Sequence, residues 1–193
     1  MGPVGDVAVS VLRAAGVTLA AGLTDSEINS VHARFGVGFA SDHLDLLRTA
    51  LPLGDRWPNW RDGDDAELQR MLDWPIESFV WDVLHQPVPF WPALGPTSDR
   101  CGRGRVDGSQ ESRKVARAGA DLRTSISPAA PAPPGCPVFS VYQTDLIYYG
   151  PDLVEYLRNE LKIEALPREE WTFGQRVPYW LQFVEAANRA ECI

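Results

Sequence analysis

Apolar residues recur every three or four positions over the N-terminal part of the chain, which predicts a series of amphipathic helices. The clearest start signal lies at Thr24 and Glu27, which have the spacing of a capping box, and Gly36 is placed to end that helix. The same pattern predicts further helices over 7–15, 41–51 and 64–72.

Later segments have the composition of strands. Phe79, Trp81 and Val83 alternate with Ser78, Val80 and Asp82, which predicts a strand over 79–83. The β-rich runs 138–142 and 146–149, joined by Gln143-Thr144-Asp145, predict a hairpin. Further helices are expected after Gly150 and from Pro178. Helices, then strands, then helices again indicate an α+β fold.

Residues 98–127 differ from the rest of the chain. No aromatic residue occurs between Trp91 and Phe139, and the window holds seven basic and four acidic residues without an apolar period. We therefore expect 98–134 to be an irregular or disordered insert. A sharper hypothesis is a frameshift, because Arg123 to Pro128 can be encoded so that a shift of one base reads Gly-His-Arg-Tyr-Leu-Pro. The coding DNA tests this hypothesis directly.

The charge balance bears on the class of partner. The 193 residues include 26 acidic and 18 basic ones, and the formal net charge of -8 disfavours nucleic acid and favours a basic protein partner. Three widely spaced cysteines indicate free thiols in a reducing compartment. Because no basic residue precedes Arg13 and no long uncharged apolar run occurs, we expect neither a secretory signal nor a membrane span, and hence a cytoplasmic location.

The loop from Trp57 to Asp65 is the main candidate for partner binding. It places Trp57 and Trp60 near Asp62, Asp64 and Asp65. Aromatic anchors beside carboxylates can hold arginine- or lysine-rich partners. Three alternatives remain: the tryptophans are core residues, Asp64 is a helix N-cap, or the aspartates bind calcium without the remainder of an EF-hand pattern.

Other aromatic residues are divided between core and surface. Tyr148 and Tyr149 are adjacent in a predicted strand and so face opposite sides, with one in the core and Tyr148 taken as the exposed binding candidate. Trp74, Trp81 and Trp91 are expected in the core, since aromatic side chains carry a large area to bury.

The sequence offers few signals for catalysis. It lacks a Gly-x-Ser-x-Gly elbow, a P-loop ending and metal-ligand spacing, so we expect no catalytic residue, no cofactor and no metal. His32 and His43 fall on helix faces, where a packed or solvated imidazole is the usual role. Asp82 and His85 are the remaining pair for acid–base or metal chemistry, which would make the chain a small enzyme.

The order of several capping and packing residues resembles the start of a SUKH superfamily domain. These residues are Leu23-Thr24, Glu27-Ile28, Phe35-Gly36, Phe39, Asp42, Leu46-Leu47, Leu51-Pro52, Gly54, Trp57 and Trp60. The stretch 137–150 resembles the closing strands of one bacterial branch, in which a Gly-His-Arg-Tyr-Leu-Pro-like run commonly precedes them. The chain departs from the family at Ala40, where proline is usual, and over 98–127.

The resemblance implies a single α+β domain over 1–193, with a core in 23–94 and 135–161 and a C-terminal helical extension over 165–193. Its mixed or antiparallel sheet would pack against the N- and C-terminal helices. SUKH proteins have no enzymatic activity and bind partners, in bacteria often toxins that they neutralise. The resemblance therefore implies an immunity-type protein that neutralises a toxin, and the acidic charge balance favours a basic toxin as that partner. The alternatives are a regulatory adaptor without a toxin, a small enzyme, or a damaged paralogue without function.

Overall fold

A computed structural model describes residues 3–85, 120–121, 125–126, 132–142 and 145–174. Within these ranges the chain forms five α-helices and two antiparallel sheets, which is broadly an α+β fold. The helices are α1 (Pro3–Ala14), α2 (Asp25–Phe35), α3 (Ser41–Thr49), α4 (Asp65–His85) and α5 (Leu153–Leu161), and Arg168–Glu170 form a 3-10 turn. The strands are β1 (Thr18–Ala21), β2 (Ala50–Leu53), β3 (Ala120–Asp121), β4 (Ser125–Ile126), β5 (Val138–Tyr142) and β6 (Asp145–Gly150).

Helix α2 is confirmed with both of its predicted end signals. The Thr24 backbone N–H donates to the Glu27 carboxylate at 2.7 Å, and the Glu27 N–H donates to the Thr24 hydroxyl at 3.3 Å. Gly36 ends the helix with φ of 66°, a left-handed conformation that favours glycine.

Strands β1 and β2 form a two-stranded antiparallel sheet that the sequence pattern did not reveal. Thr18 lies opposite Leu53 and Ala21 lies opposite Ala50. Because α3 ends at Thr49, the residues predicted to complete its last turn lie in β2 instead. Four-residue strands are too short to show a clear alternation of apolar and polar positions.

Helix α4 continues where a strand was predicted, so the strand over 79–83 is wrong. Asp64 caps the start of the helix by accepting the Glu67 N–H at 2.9 Å, and the helix then runs through Pro75 to His85. The apolar positions 76, 79, 80, 83 and 84 also fit helical spacing, and over so short a run alternation alone does not separate the two periods.

The C-terminal strands and helix follow the prediction more closely. Strands β5 and β6 pair antiparallel, with Tyr142 opposite Asp145. Helix α5 starts after Asp152, whose carboxylate accepts the Glu155 N–H at 2.9 Å. Strands β3 and β4 fall inside the window 98–127, and β4 pairs with β5. The rest of that window, the connection 143–144 and the helix predicted from Pro178 lie outside the described residues.

Among the described residues, most of the core lies in two large apolar clusters, and Ala40, Ala132 and Cys136 form a small third one. The first cluster joins α1 to α5 and contains Ala8, Val9, Val11, Leu12, Leu46, Ala50, Trp57, Val138, Leu153, Tyr156 and Leu157. The second cluster joins α2, α3 and α4 and contains Leu23, Val31, Phe35, Val37, Phe39, Leu47, Leu51, Trp60, Leu68 and Leu72. The α3–β2 segment contributes to both. In the described ranges no helix is long and apolar enough to span a bilayer.

Candidate functional site

The two tryptophans proposed as exposed anchors are buried, which corrects that prediction. Trp57 is 8 % exposed in the first cluster, and Trp60 is 2 % exposed in the second. The Trp60 ring meets the Phe35 and Phe39 rings edge-on, with centroids 6.2 and 5.4 Å apart. The loop supplies one indole to each cluster, where a large apolar area is removed from water. Both residues therefore anchor the loop to the core.

The loop after Trp60 has a compact turn built on Asn59. The Asn59 amide oxygen accepts the N–H groups of Arg61 and Asp62 at 3.3 and 3.1 Å, as in an Asx turn. The Asn59 carbonyl oxygen accepts the Gly63 N–H at 2.8 Å. These bonds fix the backbone that carries the acidic residues.

Arg61 ties the same loop to the start of α2. Its Nε–H donates to the Glu27 carboxylate, and its Nη2 donates to the carbonyl oxygens of Gly22 and Ala21 at 3.0 and 3.2 Å. The pKa of Glu27 is lowered to about 2, first by the hydrogen bond from Arg61 and then by those from the Thr24 N–H and hydroxyl. The guanidinium therefore joins β1, α2 and the loop.

Four carboxylates are exposed along this loop and the first turn of α4. These residues, named here the acidic surface, are Asp62, Asp64, Asp65 and Glu67. The first three were predicted to form a binding site, and the structure leaves them accessible to solvent. Asp64 also caps α4, and Asp65 forms an ion pair with Arg34. The acidic surface thus projects from a restrained backbone.

Trp74 is exposed, although the sequence placed it in the core. It is 49 % exposed and lies on a side of α4, named here the α4 face, that also carries Glu67, Arg70 and Glu77. The opposite side is buried through Leu68 and Leu72. The signal available in the sequence was the spacing of Trp74 from Arg70 and Glu77, which places all three on one side of a helix.

Tyr148 lies in the other sheet, on β6. Its half-buried ring contacts the rings of Phe139 and Phe173, with centroids 4.9 and 4.8 Å apart. Tyr149 is also half-buried and lies 6.0 Å from the Tyr156 ring, and burial raises the pKa of its phenol. The ring neighbours of Tyr148 are not residues of the acidic surface, so the predicted site residues do not form one cluster.

A buried group of ionisable residues lies at the start of α3. The Asp42 carboxylate accepts the Gly135 N–H at 2.7 Å. His43, the next residue in the chain, is buried, and so is Cys136, which lies close enough to feel the Asp42 charge. Burial raises the pKa of Asp42, and burial with the Asp42 charge raises that of the Cys136 thiol. A thiol with a raised pKa is a poor nucleophile. Asp42 instead connects α3 to the chain before β5.

The remaining catalytic candidates occupy structural positions or lie outside the description. The His32 ring Nδ1 lies 2.9 Å from the Val37 carbonyl oxygen, which links the end of α2 to the next loop. Asp82 and His85 lie in the last turns of α4 and not at a strand end, and their side chains lie outside the described residues.

A shallow depression between α1 and the chain after α5 has a volume of about 180 Å³. It is lined by Val7, Ser10, Val11, Ala14, Arg158, Ile163 and Glu164. Arg158 is already paired with Glu155 at 2.6 Å. The volume is smaller than the roughly 300 Å³ at which small-molecule sites begin.

The acidic surface has chemistry suited to association. Exposed carboxylates on a restrained loop can attract and hold cationic groups without forming a reaction centre. Comparison of the chain with protein-family models, curated proteins and solved structures finds no match.

Proposed function

We propose that the chain is a non-enzymatic, SUKH-like protein-binding domain that neutralises a basic toxin by covering part of its surface. The observation that carries this proposal is the acidic surface, in which four exposed carboxylates project from an already ordered loop and the first turn of α4. A cytoplasmic location and a sheet packed against N- and C-terminal helices belong to the same proposal.

The restrained loop favours binding because little conformational freedom remains to be lost. Asn59 and Arg61 hold its backbone, while Trp57 and Trp60 anchor it in the two core clusters. Ordering a loop at the moment of association would otherwise reduce the affinity. The surface is therefore preorganised for a partner of complementary charge.

The charge of the whole chain supports a basic partner. The net charge of -8 attracts a cationic protein over distances of about one Debye length, ~8 Å at physiological salt. Such steering raises the association rate more than it slows dissociation. Removing the basic window 98–127 from the sum leaves a more acidic remainder, since that window alone carries an excess of basic residues.

The coding DNA and its flanking genes provide the first test. A toxin gene next to this one favours neutralisation, whereas an isolated gene favours the regulatory-adaptor alternative. The adjoining toxin is then expressed with and without this chain, and growth is measured. We expect the wild-type chain to restore growth and to bind the purified toxin.

A charge-neutralised variant tests whether the acidic surface makes the contact. Asp62→Asn, Asp64→Ser and Glu67→Gln together remove three negative charges, and serine preserves the capping oxygen of Asp64. The matched control removes the same charge at exposed positions elsewhere, through Asp55→Asn, Glu169→Gln and Glu170→Gln. We expect the first variant to weaken toxin binding about tenfold or more and the control to change it little. Equal binding by both variants would contradict the proposal.

A further inference from the structure

Trp74 is an exposed aromatic residue on an otherwise polar side of a helix. Its side chain is 49 % exposed, whereas Leu68 and Leu72 on the opposite side are each 2 % exposed. Within the part of the chain that the structure describes, Trp74 makes no ring stacking or cation contact. The core therefore does not account for this tryptophan.

The neighbours of Trp74 on the α4 face are mostly acidic. Glu67 lies seven residues earlier, about 10.5 Å along the axis, and Glu77 lies three residues later. Helical side chains lean toward the N-terminus, so the indole leans toward Arg70 and the acidic surface. Arg70 is exposed and forms no ion pair among the described residues.

We propose that Trp74 is the aromatic anchor of the acidic surface and that the partner lays an arginine side chain flat on its indole. The guanidinium would then donate hydrogen bonds to the flanking carboxylates. The inference rests on the proposed function, because it specifies the partner chemistry recognised at the same surface.

Arginine fits this arrangement better than other occupants. Its planar guanidinium stacks on an aromatic face while its N–H groups remain available to carboxylates, whereas lysine offers a compact charge that does not stack. A second copy of the chain would bring a further net charge of -8 toward the same acidic residues, which opposes self-association. Tryptophan and arginine are also the residues most enriched at the centres of interfaces.

The experiment uses the full chain with two defined probes, a hexa-arginine peptide and a hexa-lysine peptide. Affinities are measured by calorimetry at low salt, and 5-fluorotryptophan labelling allows the Trp74 resonance to be followed by fluorine NMR. The Trp74→Phe variant assigns that resonance, and Trp171→Phe serves as the control for a tryptophan that already lies 5.5 Å from the Arg168 guanidinium.

We expect hexa-arginine to shift the Trp74 resonance and Trp74→Ala to weaken its binding about fivefold. The affinity for hexa-lysine should fall much less, about twofold or below, because an ammonium group does not stack on the indole. A structural defect, by contrast, would weaken the binding of both peptides equally. Arg70→Ala should tighten hexa-arginine binding by removing a competing cation. Unchanged melting temperatures establish that the variants are folded.

Two negative results have different meanings. If the wild-type chain binds both peptides but Trp74→Ala has no selective effect, Trp74 is not the anchor and the acidic surface remains. If neither peptide binds the wild-type chain, the proposed acidic surface itself fails. Self-association that is lost in Trp74→Ala, measured by sedimentation, would overturn the inference in favour of a second copy.

Discussion

Asp42 is a carboxylate that the fold buries at the first turn of α3. Only 8 % of the residue is exposed, and its oxygen accepts the Gly135 N–H. Burial raises its pKa, the Gly135 hydrogen bond opposes this, and the charges of Asp152 and Asp45 raise it further. The neighbouring Ser41 hydroxyl donates to the Ala132 carbonyl oxygen at 2.6 Å. Two polar contacts thus hold the chain before β5 against α3, one of them at the cost of a buried charge.

The substitution Asp42→Asn should stabilise the protein at neutral pH. A raised folded pKa means that the folded state holds the Asp42 proton more tightly than the unfolded state. The stability that this proton contributes is fully present below the unfolded pKa of 3.8 and is lost as the pH rises through the folded pKa. Asparagine keeps an oxygen for the Gly135 N–H without the charge. We expect a gain on the order of 1 kcal/mol at pH 7, shrinking as the pH falls toward 3.8, in urea unfolding measured at several pH values. A pH-independent difference would rule out this account.

Glu27 has the opposite pH dependence. Its pKa is lowered from 4.5 to about 2, first by the Arg61 hydrogen bond, so its contribution is present above 4.5 and is lost as the pH falls through about 2. Glu27→Gln keeps an oxygen for the Thr24 N–H but removes the charge. We expect the variant to be less stable than wild type at pH 7 and equally stable near pH 2, by guanidinium unfolding. Glu67→Gln, exposed and away from Arg61, is the control and should show no such convergence.

The tryptophans show what could and could not be predicted for single residues. Asp62 and Asp64 were predicted to be exposed, because charged side chains rarely enter a core unpaired. The sequence had left both roles open for Trp57 and Trp60, since a loop tryptophan can either plug the core or face solvent. Trp74 was placed inside on its residue type alone, although burial on a helix depends on the face. Residue type therefore located the charges better than the aromatic anchor.

At the scale of elements, β6 and α5 lie in close contact at Gly150. A Cβ atom at this position would lie 2.6 Å from the Tyr156 backbone N and Cα, which is closer than real Cβ contacts. Tyr156 is fully buried in the first cluster, and its backbone N–H donates to the Asp152 carbonyl oxygen at 3.0 Å. Glycine therefore permits the helix to start directly on the end of the strand.

Gly150→Ala should destabilise the fold by about 1–3 kcal/mol, because α5 must move away from β6 to admit the methyl group. The measurement is urea unfolding followed by circular dichroism. Gly174→Ala is the matched control, since its Cβ would meet the nearest atom, the Gly135 carbonyl oxygen, at an ordinary 3.7 Å. Equal stability of the two variants would mean that α5 can shift without cost.

Elements with local start and stop signals were predictable, and those that depend on distant contacts were not. The capping box predicted α2 because both partners lie within four residues. Sheet β1–β2 pairs residues about thirty positions apart in strands too short for a visible pattern. In α4, an alternating run predicted a strand over 79–83, yet the apolar positions also satisfied the helical period.

At the scale of the whole molecule, the α3–β2 segment forms a wall between the two apolar clusters. Leu46 and Ala50 pack into the first cluster, whereas Leu47 and Leu51 pack into the second. Trp57 and Trp60 repeat this division three residues apart in the following loop. If the α3–β2 segment left one cluster, apolar side chains of the other cluster would also become exposed to solvent. This shared wall predicts that the clusters unfold together.

Leu46→Ala and Leu47→Ala test this coupling, since each removes a leucine no more than 2 % exposed from a different cluster. Each should cost about 2–5 kcal/mol, whereas Leu166→Ala, at 42 % exposed, should cost far less. The fluorine resonances of 5-fluorotryptophan at Trp57 and Trp60 report on the two clusters separately during urea unfolding. Coincident midpoints in wild type and in both variants are expected of one cooperative unit. If Leu46→Ala lowers the midpoint only at Trp57 and Leu47→Ala only at Trp60, the clusters fold independently and the α3–β2 wall does not couple them.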